Sequence, residues 1–115
     1  MFIDWVNTRI FIRPGRTDMR KQSAGLSVIV EQELGCNPFS GSLYLFCNRR
    51  RNLMKILYWD RNGFCLWSKR LEKHRFPWPE SEEAVREIDE QKLRWLLDGI
   101  DFFHAHTKLP YSNVS

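Results

Sequence analysis

Arg49, Arg50 and Arg51 stand side by side in the sequence, with Asn48 before them and Asn52 after. Three adjacent guanidiniums cannot all find a local carboxylate, so some must face solvent. Their planar forks match phosphate oxygens, and the flanking amides can add hydrogen bonds. Lys55, Lys69, Arg70, Lys73 and Arg75 follow within a short stretch. This makes Arg49, Arg50, Arg51, Lys55, Lys69, Arg70 and Arg75 a candidate nucleic-acid-binding surface meeting the DNA backbone. The competing reading is a solvated hairpin end whose charge discourages edge-to-edge aggregation. A secondary basic cluster, Arg16, Arg20 and Lys21, surrounds Thr17-Asp18. Amides at a helix start there could hold a phosphate. Asp18 would repel it, and an ion pair from Asp18 to a neighbouring arginine is the favoured reading.

Other chemistry finds little support. His104 and His106 are spaced i, i+2 with no third ligand at a suitable spacing, so no metal is expected. The three cysteines (Cys36, Cys47, Cys65) are odd in number and lack a short repeated spacing. That disfavours both a disulfide framework and a zinc site, and leaves them as small buried hydrophobes. Asp4, Asp18, Asp60 and Glu72 show no pairing of the kind a two-metal nuclease needs. No Gly-rich phosphate loop or nucleophile elbow is present. The reading is of a protein that is not an enzyme, with no cofactor and no small-molecule substrate. Tryptophans beside basic residues can stack bases. Trp5, Trp59, Trp67, Trp78 and Trp95 nevertheless fall mostly where a small core needs them, so core packing is expected.

Composition bounds the class. A chain of 115 residues, 43% apolar and 28% charged, has the size of one domain and is neither a disordered tail nor a membrane protein. The longest unbroken apolar run, 43–47, is far too short to span a bilayer. The start lacks a basic segment followed by an apolar one, so no signal peptide and a cytoplasmic location are expected. Residues 1–79 carry 14 Lys/Arg against 6 Asp/Glu, whereas residues 80–115 carry 4 against 8. A basic body with an acidic C-terminal segment suits an anionic partner.

The elements that must position these residues are legible in outline. Residues 8–13 read as a strand ending at Pro14-Gly15. Thr17 or Asp18 can cap a helix whose stripe is Met19, Leu26, Ile29, Val30 and Leu34, with Gly35 as its stop. Residues 43–47 and 53–59 are apolar on both faces, as doubly covered strands are. The basic triplet is the tip between them, expected to be mobile and so to meet phosphates rather than bases. Asp60-Arg61-Asn62-Gly63 makes a tight hairpin into a strand over 64–71. Arg75-Phe76 reads as a short edge piece. Residues 84–88 add a last strand or a helical turn from Ser81. Asp89 caps a second helix, with Ile88 stapled to Leu93 and an apolar face of Leu93, Leu96 and Leu97. Gly99 ends it, and Ile100 can fold back on Trp95. The fold class is α+β: a mostly antiparallel β-meander of four to six strands, one helix after the first strand and a C-terminal helix on the sheet. Residues 1–103 make a single domain with Leu45, Ile56, Trp67, Leu93 and Leu97 in its core, and 104–115 a flexible tail.

Three blocks then carry a resemblance. The first is Thr17-Asp18-Met19-Arg20-Lys21 with Gly25-Leu26. The second runs from Arg50-Arg51 through Lys55-Ile56-Leu57-Tyr58-Trp59-Asp60 and Gly63-Phe64-Cys65-Leu66-Trp67 to Lys69-Arg70-Leu71-Glu72, Arg75-Phe76 and Trp78-Pro79. The third is Leu93, Leu96-Leu97 and Gly99-Ile100-Asp101. Together, over about residues 8–103, the chain resembles the TnpB-type accessory proteins of the insertion sequence sixty-six family, which are unrelated to the RNA-guided nuclease sharing that symbol. Gln22 and His74 stand where that family usually has glycine. The resemblance implies a small non-enzymatic factor encoded beside a separate DDE-type transposase and needed for efficient transposition, with DNA and that transposase as partners. It assigns no catalytic residue. A metal-dependent nucleic-acid-processing enzyme and a pure protein-interaction module are the alternatives.

Overall fold

Every position of the apolar run Leu43–Cys47 is buried in the computed structural model, which describes residues 3–81 and 87–99. Successive strand residues point to opposite faces. Leu43, Leu45 and Cys47 accordingly enter one core, and Tyr44 and Phe46 another. Among the described residues the order is β1 (Ile10–Ile12), α1 (Ser23–Gln32), β2 (Leu43–Cys47), β3 (Leu53–Asp60), β4 (Gly63–Arg70), β5 (Glu87–Ile88) and α2 (Glu90–Leu97). The strands form one sheet in the order β4-β3-β2-β1-β5. β1 and β2 are parallel, with Ile10 opposite Leu43, and α1 is the crossover between them. β2, β3 and β4 form an antiparallel meander, and β5 closes the far edge antiparallel to β1. The α+β class, the helix after β1 and the C-terminal helix all match the sequence reading.

Each face of the sheet has its own layer. On one side Leu26, Ile29 and Val30 of α1 meet Tyr44, Phe46 and Leu57. On the other, Leu93 and Leu96 of α2 meet Leu45, Met54 and Ile56, joined by Phe76 and Trp78 from the segment after β4. Asp89 caps α2 as expected, its carboxylate accepting from Lys92 N at 2.8 Å. The contact between Ile100 and Trp95, the histidines at 104 and 106 and the tail at 104–115 lie outside the described residues.

Several expectations are corrected. The first helix starts at Ser23, with Gln22 as an N-cap that makes no side-chain bond, rather than at Thr17 or Asp18. The reason is competition. Asp18 Oδ1 accepts from Arg20 N at 2.9 Å in a local turn. The carbonyls of Met19 and Lys21, which earlier helical turns would need, are already bonded to Lys55 Nζ. Arg75-Phe76 is not a strand. Phe76 is fully buried, and its N–H bonds the Arg51 carbonyl at 2.7 Å, holding an irregular loop across the sheet end. Trp67 is not in the core. It stands on edge strand β4 and is 38% exposed, because α2 packs over the central strands. Of the tryptophans only Trp78 is buried, with Nε1 donating to the Arg13 carbonyl at 2.9 Å. Leu45, Ile56 and Leu93 are buried as expected, and Leu97 packs half-buried against the same core. Neither Gln22 nor His74 sits at positive φ, so a side chain is accommodated at both.

Two measurements check this packing. Phe76→Ala should cost about 3–5 kcal/mol in urea unfolding, despite lying in a loop, since it opens a cavity under the sheet. A loss below about 1 kcal/mol would mean the 71–80 segment is not part of the core. Burial pushes the Cys47 thiol up to about 12. Iodoacetamide at pH 8 should therefore leave Cys47 unmodified until the protein unfolds. Rapid labelling of Cys47 in folded protein would contradict the sealed β2.

Candidate nucleic-acid interface

Strand direction decides which loops meet. The parallel β1 and β2 end on the same side, β3 begins there and β4 ends there. The loop after β1, the tip between β2 and β3 and the segment after β4 therefore emerge together. Hydrogen bonds fasten them: Thr17 N to Cys47 O at 2.8 Å, Gly15 N to Pro79 O at 2.8 Å, and Leu71 N to Asn52 O at 2.8 Å. The primary arginines and most of the secondary basic cluster, far apart in sequence, thus share one end of the sheet.

The tip is ordered rather than mobile. Asn48 Oδ1 accepts from Asn52 N at 3.0 Å and from Leu53 N at 3.1 Å, and its Nδ2 donates to Asn52 Oδ1 at 2.7 Å. Both asparagines therefore build the turn instead of reaching outward. Arg51 takes φ 62, a left-handed conformation that non-glycine residues adopt at a cost. The three arginines splay. Arg49 and Arg51 line a cleft with Gly15, Arg16 and Glu80, while Arg50 lines a second with Lys73, His74 and Arg75.

The remaining expected site residues divide by partner. Arg75 stays at this end, donating to the Arg50 carbonyl at 3.2 Å. Arg70 ends β4 beside the tip, opposite Leu53. Lys55 is a correction: it is only 8% exposed, and its ammonium donates to Met19 O at 2.8 Å and Lys21 O at 3.2 Å. Its side chain points into the α1 face of the sheet and ties down the loop before that helix. Lys69 is part-exposed near the end of β4. Its Nζ donates to Leu97 O at 3.0 Å, where a cation suits the carboxyl end of α2. Arg20 forms the favoured ion pair with Asp18 at 2.8 Å, and the Arg20 guanidinium holds the Asp18 carboxyl well below the usual carboxylate range. Arg16 and Lys21 are exposed and line a broader cleft with Arg13 and Asp18.

The distribution of partners is uneven. Arg9 pairs with Glu87, Arg61 approaches Asp60 and Arg94 pairs with Glu90, all away from this end. Among the described residues, the arginine side chains with no protein hydrogen bond or ion pair are Arg16, Arg49, Arg50 and Arg70. All four sit at the sheet end where the three loops meet. Glu80 and the half-buried Arg13 carry no signal in the sequence reading. Arg13 reaches Glu33 at 2.6 Å and Thr17 Oγ1 at 3.0 Å, which fixes the loop bearing Arg16. Among the described residues no three His, Cys, Asp or Glu side chains gather as a metal site requires, and no helix is long and apolar enough to cross a membrane.

Comparison with known proteins adds a family. A family model described as "IS66 Orf2 like protein" (TnpB_IS66) matches residues 8–107. The chain is similar to the uncharacterized protein y4hO of Sinorhizobium fredii (strain NBRC 101917 / NGR234), 40% identical over 98 residues, covering 85% of each chain. It is also similar to the uncharacterized protein y4jC of the same strain, 26% identical over 100 residues, covering 87% of this chain and 86% of the other. No solved structure matches.

The buried Lys55 separates a structural from an interface role. Lys55→Met removes the donor from two backbone carbonyls and should cost about 1–3 kcal/mol of stability. Chemical denaturation reads that loss. A salt titration of DNA binding at a temperature where the variant is folded should show an unchanged slope. A slope flattened by roughly one unit would return Lys55 to the interface.

Proposed function

The chain belongs to the IS66 Orf2-like family, and on that premise we propose that it is a non-enzymatic accessory factor for transposition of an insertion sequence. It works by holding DNA through the phosphate backbone, alongside the separately encoded DDE-type transposase of the same element. One observation carries the DNA reading: the partnerless arginines Arg16, Arg49, Arg50 and Arg70 converge on one end of the sheet. A fold that merely needed soluble charge would leave such groups scattered, whereas a polyanion is held by cations concentrated on one face. Phosphate contact, not base reading, fits the site. A two-stranded tip with splayed guanidiniums offers forks for phosphate oxygens.

Replacing Arg16, Arg49 and Arg50 together by alanine tests this. Affinity for duplex DNA should fall alike for all sequences, and the slope of log K against log salt should flatten by up to ~3 units. The thermal midpoint should hold, because solvated side chains without partners contribute little to stability. Unchanged affinity and slope in the folded variant would remove DNA from the reading. A pull-down with the transposase would then decide whether that protein supplies the acidic partner.

A further inference from the structure

Arg51 is the arginine of the triplet that the unpaired set leaves out, and its setting is peculiar. It occupies a left-handed backbone position (φ 62) where glycine or asparagine would sit without strain. That conformation, fixed by bonds from Arg51 N to the Asn48 carbonyl and from Asn52 N and Leu53 N to Asn48 Oδ1, places Arg51 in the cleft with Arg16 and Arg49. The cleft has a volume of about 210 Å³, room for a phosphate group and several waters at ~30 Å³ each. Its wall includes Gly15, itself at φ +78, where a Cβ would come within 3.6 Å of the Glu80 carbonyl. Arg16, Arg49 and Arg51 thus line one cleft with a single carboxylate, Glu80, whose Oε2 lies 3.2 Å from an Arg51 Nη2. Glu80 is held from below, since Pro79 accepts from Gly15 N and Trp78 is buried. Its own carboxylate is 80% exposed. An exposed pair of this kind is weak. An incoming phosphate group can be met by Arg16 and Arg49 as well, so it competes for the same guanidinium with contacts that Glu80 does not make.

We propose that this cleft takes a single phosphate group between Arg16, Arg49 and Arg51, and that Glu80 occupies Arg51 until the phosphate displaces it. The site rests on the DNA reading in its natural source, a phosphodiester of the backbone, but its chemistry serves a free phosphate equally. Glu80 then acts as a built-in competitor. It keeps Arg51 aligned in the free protein and lowers affinity for weak or singly placed anions. Glycine at this position would relax the turn but leave the cleft without the arginine that Glu80 holds ready.

A double-mutant cycle on the full chain decides it, with Arg51→Gly, Glu80→Gln and the double variant. Each is titrated with a fixed duplex DNA and, separately, with inorganic phosphate. Arg51→Gly should weaken binding about tenfold while the thermal midpoint holds or rises, because glycine relieves the left-handed strain. Glu80→Gln should strengthen binding several-fold, and that gain should vanish in the Arg51→Gly background. A Glu80→Gln gain that persists without Arg51 would reflect general charge and overturn the proposal. So would two silent variants in a protein that still binds DNA with a steep salt slope, an outcome that leaves the DNA reading intact. Phosphate binding with the predicted cycle but no DNA binding would keep the cleft, identify a free phosphate as its source and end the DNA reading. Absence of binding to either probe would end both.

Discussion

The parallel pairing of β1 with β2 is the constraint on which the rest of the molecule depends. Parallel neighbours cannot be joined by a tight turn, so the intervening chain must cross a face of the sheet, and α1 does so. The crossover gives one face its cover. The same pairing brings two strand ends to one side, and the antiparallel meander that follows adds the start of β3 and the end of β4. Loops from three separate regions are then forced into contact. Had β1 paired antiparallel to β2, the loop bearing Arg16 would have emerged opposite the arginine tip.

The polar interactions reinforce that convergence instead of neutralising it. Lys55 and Lys69 spend their charge on backbone carbonyls, one before α1 and one at the end of α2. Asn48 and Asn52 spend their amides on the turn. What remains at the sheet end is a set of guanidiniums on a stiff scaffold, with Asp18 and Glu80 each engaging one of them. The backbone of this end is thus fixed by hydrogen bonds, while the side chains of Arg16, Arg49, Arg50 and Arg70 make none to the protein.

The core is spread over two layers, one on each face of the sheet. The clefts lie between surface loops and are lined by cations. On the opposite part of the α2 face, Trp5 and Trp67 border a small apolar groove with Ile3 and Leu97. The chain belongs to a family associated with insertion sequences.

Strand and helix types were readable from the residues because they depend on local periodicity. The unbroken apolar run of β2 announced a doubly covered strand, Asp89 announced the start of α2, and the Asp60–Gly63 turn announced a hairpin. The basic tip was equally legible, since three adjacent arginines have no local partners. Tertiary structure alone decided the rest, for reasons of reach. Whether Lys55 faces solvent depends on which side of β3 lies under α1, and on a loop more than thirty residues away whose carbonyls need a donor. The true start of α1 follows from that same bond, so a good capping residue at Asp18 was overridden. Trp67 reads as core from its strand, but edge position and the placement of α2 leave it exposed. The pairing of Arg51 with Glu80 joins residues that no spacing rule connects, because it exists only where the β2–β3 tip and the segment after β4 are brought to the same end of the sheet.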